Sequence, residues 1–159
     1  MSKARQLADL LATVVETDDI GTTVQGYDAD TAKLDVAQTF TAAQKFTTTN
    51  ETYATFTSTT NAATVDTSTA TVFSHVLTEN TTLTFSNPPA SGTAYGMTIK
   101  IVQDASASGF TVTWPTSVDW AAATAPTLTA DANGVDVFVF ITHDGGTTWY
   151  GFTAGQALG

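Results

Sequence analysis

Apolar and polar residues alternate most clearly between positions 135 and 152, and this stretch predicts the end of the fold. One face of the first half is aliphatic and the other is aromatic, which is typical of a central strand that is covered on both faces. The aliphatic positions are Val135, Val137, Val139 and Ile141, and the aromatic ones are Phe138 and Phe140. Asp144-Gly145-Gly146 then supplies residues that tolerate a tight turn, after which the strand pattern resumes. We therefore predict a C-terminal β-hairpin.

Shorter strand-like segments occupy the chain between residue 53 and this hairpin. They are Ala54 to Ser58, Ala63 to Asp66, Thr71 to Leu77, Thr81 to Phe85, Gly96 to Val102 and Phe110 to Trp114. Turn-forming Asn, Asp, Gly and Pro residues separate them, and no helical periodicity intervenes. The spacing predicts a mainly β protein with an antiparallel, jelly-roll-like β-sandwich head over residues 53–159. Alternation within the strands places Met97, Ile99, Ile101, Phe110, Val112 and Trp114 in its core.

The first residues predict a short amphipathic helix between Lys3 and Val15. Its apolar stripe consists of Ala4, Leu7, Leu11 and Val14. A helix of this length is marginal alone in water, so the stripe must be covered by copies of itself, by another protein or by its own domain.

Residues 17–52 lack a sustained period and are predicted to form an extended arm or thin shaft. Their few large apolar residues, among them Leu34, Val36, Phe40 and Phe46, are too sparse for a core within one chain. Identical chains around an axis would bury these residues against one another. The sequence therefore divides into an N-terminal helix and arm, 1–52, and a head, 53–159, and it favours a homotrimer.

Charge and composition exclude several classes of partner. The net charge is −10 with only five Lys and Arg, which leaves no basic surface for nucleic acid or an anionic membrane. The chain has no cysteine, so it has no disulfide framework. Asp9 interrupts the apolar run near the N-terminus, which argues against a signal peptide, and no segment reaches the roughly 20 apolar residues of a membrane span.

The sequence offers little catalytic chemistry. The two histidines are His75 within a strand and His143 beside the hairpin turn, and neither has a nucleophile or carboxylate at a recognisable spacing. Asp28 and Asp30 lack the further ligands of a calcium loop. We therefore expect no enzyme activity, no metal site and no cofactor.

One local motif is more specific. Thr142 to Trp149, THDGGTTW, resembles the Asp-box, a hairpin found in sialidase propellers and other secreted β proteins. That resemblance implies that Asp144 bonds to turn amides, that Gly146 permits the turn and that Trp149 is buried behind it. The motif occurs once, whereas a propeller would repeat it in each blade, so it predicts the hairpin and not sialidase activity.

Several longer blocks together resemble tail fibres and related structural proteins of tailed bacteriophages. They are SKARQLADL, LDVAQTFTAAQKF, LTFSNPPASGTAYGMTIKIVQDASASGFTVTWPTSVDW and DVFVFITHDGGTTWYGFTAG. The resemblance implies a virion protein, usually a homotrimer, whose N-terminal region attaches to other virion proteins and whose β-rich head points outward. Similar heads occur on head fibres and capsid decorations, and a stand-alone carbohydrate-binding module is a further alternative.

The expected partner of such a head is a host surface polysaccharide. Aromatic side chains at loop tips stack on sugars, so Trp120 and Tyr95, with Asp119 as a polar neighbour, are candidate ligand-binding residues. Trp120 lies in the irregular segment Pro115 to Pro126, where a large aromatic side chain either pins the loop to the core or is displayed to a partner. Both aromatic residues have packing at chain contacts as the alternative role.

Overall fold

The computed structural model describes Ser2, Lys3, Phe40 and residues 43–158. Spatial contacts divide the chain into two compact units, Met1–Thr47 and Thr48–Gly159. The predicted helix stripe of Ala4, Leu7, Leu11 and Val14, and most of the predicted arm, lie outside the described residues. Within the first unit, Phe40 and Phe46 are exposed. The second unit contains all the strands described below.

The prediction of a mainly β protein is confirmed. The strands are β1 Tyr53–Thr55, β2 Ala62–Asp66, β3 Val72–Leu77, β4 Thr81–Ser86, β5 Tyr95–Gln103, β6 Val112–Thr113, β7 Val118–Trp120, β8 Val135–Thr142 and β9 Trp149–Leu158. A 3₁₀ turn, Ala121–Ala123, follows β7. Each predicted strand segment overlaps an observed strand, but β7 falls in a segment that was predicted to be irregular.

The strands form two sheets. The large sheet has the order β1-β3-β5-β8-β9-β7, and the small sheet has the order β2-β4-β6. From β1 to β6 the chain alternates between them, so that neighbours within each sheet run parallel. This is a stack of parallel coils, each with one strand in either sheet, and residues separated by 19 to 31 positions become neighbours.

The predicted antiparallel, jelly-roll-like topology is therefore wrong. Only the β5–β8 and β8–β9 pairs are antiparallel, while the other five strand pairs, including β7–β9, are parallel. The reason is that the connections from β1 to β6 cross between the sheets and do not join neighbouring strands of one sheet. Asn87 has positive φ at such a crossing, whereas Thr60 and Asn61 form a tight turn that is closed by an antiparallel bridge between Thr59 and Ala62 before the chain enters β2.

The predicted C-terminal hairpin is present, and β8 is a central strand as expected. It lies between β5 and β9 and pairs antiparallel with both. Phe138 and Phe140 point inward and are fully buried, whereas Val137 and Val139 on the alternate face are only partly covered. The hairpin thus closes the end of the parallel coils within the large sheet.

The core lies between the two sheets, and its residues come from both. The expected core positions Met97, Ile99 and Ile101 on β5 are buried, as is Trp114 after β6. Across from them, Leu83 and Val65 on the small sheet are also buried. Each such side chain contributes about 1.5–3 kcal/mol when it is withdrawn from water, so the alternation along the strands accounts for most of the cohesion of the unit.

Two buried polar side chains hold the loops beside this core. Gln103 Nε2 donates to the carbonyls of Phe110 (2.9 Å) and Thr129 (3.0 Å), and its Oε1 accepts from Phe110 N–H (3.1 Å). The Asp136 carboxylate accepts from the N–H and hydroxyl of Thr129, both at 2.7 Å, and from Ala157 N–H at 3.1 Å. Asp136 lies where the β8–β9 register shifts, so its carboxylate supplies an acceptor where the ladder is interrupted.

Gly151→Ala tests how closely β7 and β9 pack. A Cβ at this position would lie 2.8 Å from Trp120 Cζ3 and 2.9 Å from Val118 Cγ1, so we expect a loss of about 1–3 kcal/mol of unfolding free energy from overpacking. Urea denaturation of both proteins measures the change. Gly96→Ala is the matched control, because its Cβ would meet only Phe140 O at 3.8 Å. Equal stability of the two variants would contradict the close packing.

Candidate functional site

The β8–β9 turn has the geometry that the Asp-box resemblance implies. The Asp144 carboxylate accepts from Thr148 N–H at 3.0 and 3.1 Å and from the Thr142 hydroxyl at 3.0 Å. Gly146 has φ +77°, and the Trp149 side chain is fully buried. The pKa of Asp144 lies below its usual value, and the largest cause is the hydrogen bond from Thr148 N–H. The motif therefore builds a rigid turn from its own polar groups.

This turn also packs on the connection between β4 and β5. Gly92 N–H donates to the His143 carbonyl at 2.9 Å. A Cβ on Gly146 would lie 2.8 Å from Pro88 Cγ and 3.2 Å from Trp149 Nε1. Glycine is thus required here both by the positive φ and by the close approach of Pro88. The Asp-box therefore joins the terminal hairpin to the connection between β4 and β5.

Trp120 is a core residue and is not displayed at a loop tip. It is 9% exposed and contacts Trp114, Phe138 and Phe140 with ring centroids 5.4–6.0 Å apart. The ring pins β7 to the large sheet, which is the packing alternative stated above. Because neither face of the ring is open to solvent, the expectation that Trp120 stacks on a sugar is wrong.

Tyr95 and Asp119 occupy separate places. The Tyr95 ring packs edge-on against Trp149 and its hydroxyl donates to the Ala70 carbonyl, so it acts as a packing residue and not as a platform at a loop tip. Burial raises the pKa of its phenol. Asp119 is exposed on β7, beside Tyr150 of β9. The structure does not join Trp120, Tyr95 and Asp119 into one ligand site.

The outer face of the β8–β9 hairpin is the most distinctive surface of the head. We define the hairpin face as Val137, Val139 and Ile141 of β8 with Tyr150 and Phe152 of β9. The strands place Val139 opposite Phe152 and Ile141 opposite Tyr150, so these side chains form adjacent cross-strand pairs. Ile141 is 43% exposed, Tyr150 40% and Phe152 52%.

Two opposite charges flank the hairpin face. Lys100 of β5 is exposed and lies opposite Val137, while Asp119 is exposed at the other side, beside Tyr150. The apolar centre therefore has a basic rim on one strand and an acidic rim on the other. This arrangement is typical of an interface patch, in which polar groups surround an apolar core.

A second feature is a cavity at the other side of the large sheet, where β1 ends beside β3. We name it the His75 cavity; it holds about 390 Å³ and is lined by His75, Phe56, Val76 and five Ser and Thr residues. His75 is 3% exposed, and its ring stacks on Phe56 with centroids 4.8 Å apart. Its Nδ1 lies 2.9 Å from the Phe56 carbonyl, whereas its buried Nε2 contacts no polar partner. Burial lowers the pKa of this imidazole.

Sequence reasoning identified the aliphatic stripe of β8 but not its exposure, and it missed the His75 cavity. The signal for the latter was present: His75 shares the inward face of β3 with Phe73 and Leu77. A histidine at an inward strand position has two ring nitrogens that need hydrogen-bond partners, so it indicates a polar site within the core.

Within the described part of the chain, no group of three His, Cys, Asp or Glu side chains is arranged to hold a metal ion. The same residues include no helix that is long and apolar enough to cross a membrane. Comparison of the chain with protein-family models, with curated proteins and with solved structures finds no match.

Replacing Asp144 tests the turn. Asp144→Ala removes the acceptor for Thr148 N–H and the Thr142 hydroxyl, so we expect a lower melting temperature with the β content retained. Thermal unfolding followed by circular dichroism measures this. Asp131→Ala, which removes an exposed carboxylate from the turn before β8, is the control. Indistinguishable melting of the two variants would show that the carboxylate does not hold the hairpin.

His75 predicts a specific loss of stability in mild acid. Because its pKa lies below the ordinary 6.5 when folded, the unfolded chain takes up a proton first as the pH falls. The stabilising effect of the neutral ring is present above pH 6.5 and is lost as the pH decreases below it. We expect melting temperatures to fall between about pH 7.5 and about pH 5.5, where carboxylates stay ionised, and to fall less in His75→Phe. Parallel pH profiles would contradict this origin.

Proposed function

We propose that the protein is a non-enzymatic structural component of a phage virion. It is a short trimeric fibre, held to other virion proteins by its N-terminal region, with a sandwich-like β head that points outward and contacts host surface glycans. The exposed, apolar hairpin face carries the trimeric part of this proposal. The resemblance of several sequence blocks to tail-fibre proteins supports the virion part.

The hairpin face supplies part of an interface between sister chains. Strands lie about 4.8 Å apart and rise about 3.4 Å per residue, so residues 137–141 of β8 and their partners on β9 present on the order of 160 Å². A standard interface buries about 800 Å² per partner, so the hairpin face supplies roughly a fifth of one. The N-terminal region is proposed to supply the rest.

The flanking charges favour a closed ring of copies over a random aggregate. Lys100 and Asp119 lie on opposite sides of the apolar centre. In a head-to-tail contact, the basic rim of one copy therefore meets the acidic rim of the next. Such a heterologous contact closes into a ring when the rotation between copies allows it, and three copies make the smallest such ring. The net charge of −10 otherwise disfavours self-association, so a neutral, apolar contact is required.

A stand-alone carbohydrate-binding module is the second candidate. The His75 cavity favours it, because a ligand site within one chain needs no sister copy. The two functions differ in oligomeric state: the fibre is a trimer in solution, whereas the module is a monomer. A capsid decoration or head-fibre protein would share the trimer, and locating the chain in electron-microscopy maps of whole particles distinguishes those sites.

Phe152→Glu tests the hairpin face. It places a carboxylate opposite Val139 within an apolar contact, so we expect the trimer to dissociate to monomers. Light scattering coupled to size-exclusion chromatography of the full chain at about 10 µM, a concentration that populates interfaces of micromolar affinity, measures the mass. Circular dichroism confirms that the variant remains folded.

Thr116→Glu is the control, because residue 116 is exposed in the turn before β7 and lies outside the hairpin face. It should leave the trimer intact. A wild-type monomer would overturn the trimeric fibre and favour the module. A trimer that survives Phe152→Glu would show that the copies associate through another surface.

A further inference from the structure

The large sheet ends in two edge strands of equal length, β1 and β7. Among the strands that the structure describes, each of them pairs on one side only, β1 with β3 and β7 with β9. Each consists of three residues, Tyr53–Thr55 and Val118–Trp120. The outer side of an edge strand presents peptide groups that can pair with a strand of another chain. The two edges can therefore be compared as the two halves of one contact.

The peptide groups of Tyr53 and Thr55 point away from β3, in the plane of the sheet. Phe56 N–H, directly after β1, donates to the Ser74 carbonyl of β3 at 3.2 Å. Hydrogen-bonding direction alternates from one residue to the next along a strand, so the even-numbered residues face β3. The N–H and C=O groups of Tyr53 and Thr55 are thus directed to the open edge.

The peptide groups at the β7 edge follow from the same alternation. Trp149 N–H of β9 donates to the Ser117 carbonyl, directly before β7, at 2.8 Å. Val118 and Trp120 therefore direct their peptide groups away from β9. Val118 N–H already donates to the Pro115 carbonyl at 2.9 Å. The β7 edge thus directs the Val118 carbonyl and both peptide groups of Trp120 to a neighbour.

The two edge strands run in the same direction. β1, β3 and β5 are parallel, β8 is antiparallel to β5, β9 is antiparallel to β8, and β7 is parallel to β9. The two reversals cancel. A rotation about an axis along the strands keeps their direction, so the β7 edge of one copy meets the β1 edge of the next as a parallel pair. Two identical edges would instead meet about a twofold axis as an antiparallel pair.

We propose that β7 of one copy pairs in parallel with β1 of the next copy, so that the three large sheets of the trimer join edge to edge. One register uses the directed groups of both strands. Tyr53 N–H of the next copy donates to the Val118 carbonyl, and Trp120 N–H donates to the Tyr53 carbonyl. Thr55 N–H of the next copy then donates to the Trp120 carbonyl. This inference rests on the trimer of the proposed function and deepens it by naming the strands that join the copies.

The side chains of both strands agree with this register, which places Asp119 beside Tyr53 and Trp120 beside Ala54. Asp119 is exposed and Tyr53 is 57% exposed, so this pair belongs to the outer face. Trp120 is buried and Ala54 is partly buried against the core, so that pair belongs to the inner face. A shift by one residue would place an exposed side chain beside a buried one, because the faces of a strand alternate with a period of two.

Three copies allow both the edges and the outer faces to meet. Six strands at about 4.8 Å make a sheet about 29 Å wide, so three sheets that are joined at their edges lie about 8 Å from a common axis. Four would lie about 14 Å from it and leave a channel, and two sheets packed about 10 Å apart would leave their edges too far apart to pair. The closed ring turns the outer faces, which include the hairpin face, toward the axis.

Engineered cysteines test this contact, because the chain has no cysteine of its own. Tyr53→Cys combined with Asp119→Cys places two Cα atoms about 5 Å apart across the junction, within the range of a disulfide. Within one copy the same positions lie five strand spacings apart, about 24 Å, which no disulfide spans. After oxidation of the full chain with diamide at about 10 µM, we expect a covalent trimer in non-reducing denaturing electrophoresis and single chains after reduction.

Tyr53→Cys with Asp131→Cys is the matched control, because Asp131 is exposed in the turn before β8 and lies outside both edges. It should give single chains, as should Tyr53→Cys or Asp119→Cys alone. A covalent dimer of either single variant would show that identical edges meet and would overturn the proposal. A trimeric mass in light scattering without a covalent trimer of the Tyr53→Cys and Asp119→Cys protein would also overturn it and leave the trimer standing. A monomeric mass would overturn the trimer itself, so the two failures are distinguishable.

Thr55→Pro is a second test that needs no cross-link. Proline removes the Thr55 N–H at the open edge and leaves the bonds to β3 in place, because those come from the even-numbered residues. We expect the concentration at which the trimer half-dissociates to rise about tenfold, since one hydrogen bond across the junction is lost. Thr55→Val keeps the N–H and should associate as the wild type does. Equal association of the two folded variants in a light-scattering dilution series would overturn the proposal.

Discussion

Aromatic packing between the two sheets is the interaction on which this fold depends. Phe85 of the small sheet contacts Phe140 and Trp149 of the large sheet edge-on, each at 5.2 Å between centroids. Trp114 adds contacts to Phe138 and Trp120 at 5.0 and 5.4 Å. Each such pair contributes about 0.5–1.5 kcal/mol beyond the area that it buries. Without cysteines, the chain has no covalent link between its sheets, and this cluster takes that role.

The positions of the strands were predictable because burial alternates along them. The alternation predicts that Met97, Ile99 and Ile101 share one buried strand face, and all three are buried. The direction of the strands was not predictable in the same way, since alternation reports which face is covered and not which neighbour lies alongside. Asn61 has positive φ in a tight turn that folds back on itself, and Asn87 has it where the chain crosses to the other sheet, so the residue type does not distinguish the two. Parallel pairing depends on contacts between residues 19 to 31 positions apart, which no local pattern records.

Some features of the candidate site were likewise predictable from the sequence and others were not. The Asp-box turn was predictable from the sequence because its hydrogen bonds are local: the Asp144 carboxylate accepts from Thr148 N–H, four residues along the chain. Trp120 was ambiguous, because a tryptophan in a polar segment has the same sequence context whether it is buried or displayed. Gly151 resolves the ambiguity only in three dimensions, since the missing side chain of β9 makes room for the ring from β7. The His75 cavity arises from the unequal ends of β1 and β3, a tertiary property.

The parallel coils also have a consequence for how chains of this kind vary in length. Among the strands that the structure describes, β1 and β2 form the borders of the two sheets, whereas the hairpin covers β5 on the other side. Because each coil pairs mainly with its neighbours, a further parallel coil could be added at such a border without repacking the coils already present. The stack of coils is thus capped at one border of the large sheet by the hairpin and extensible at the β1 and β2 borders, in steps of one strand spacing.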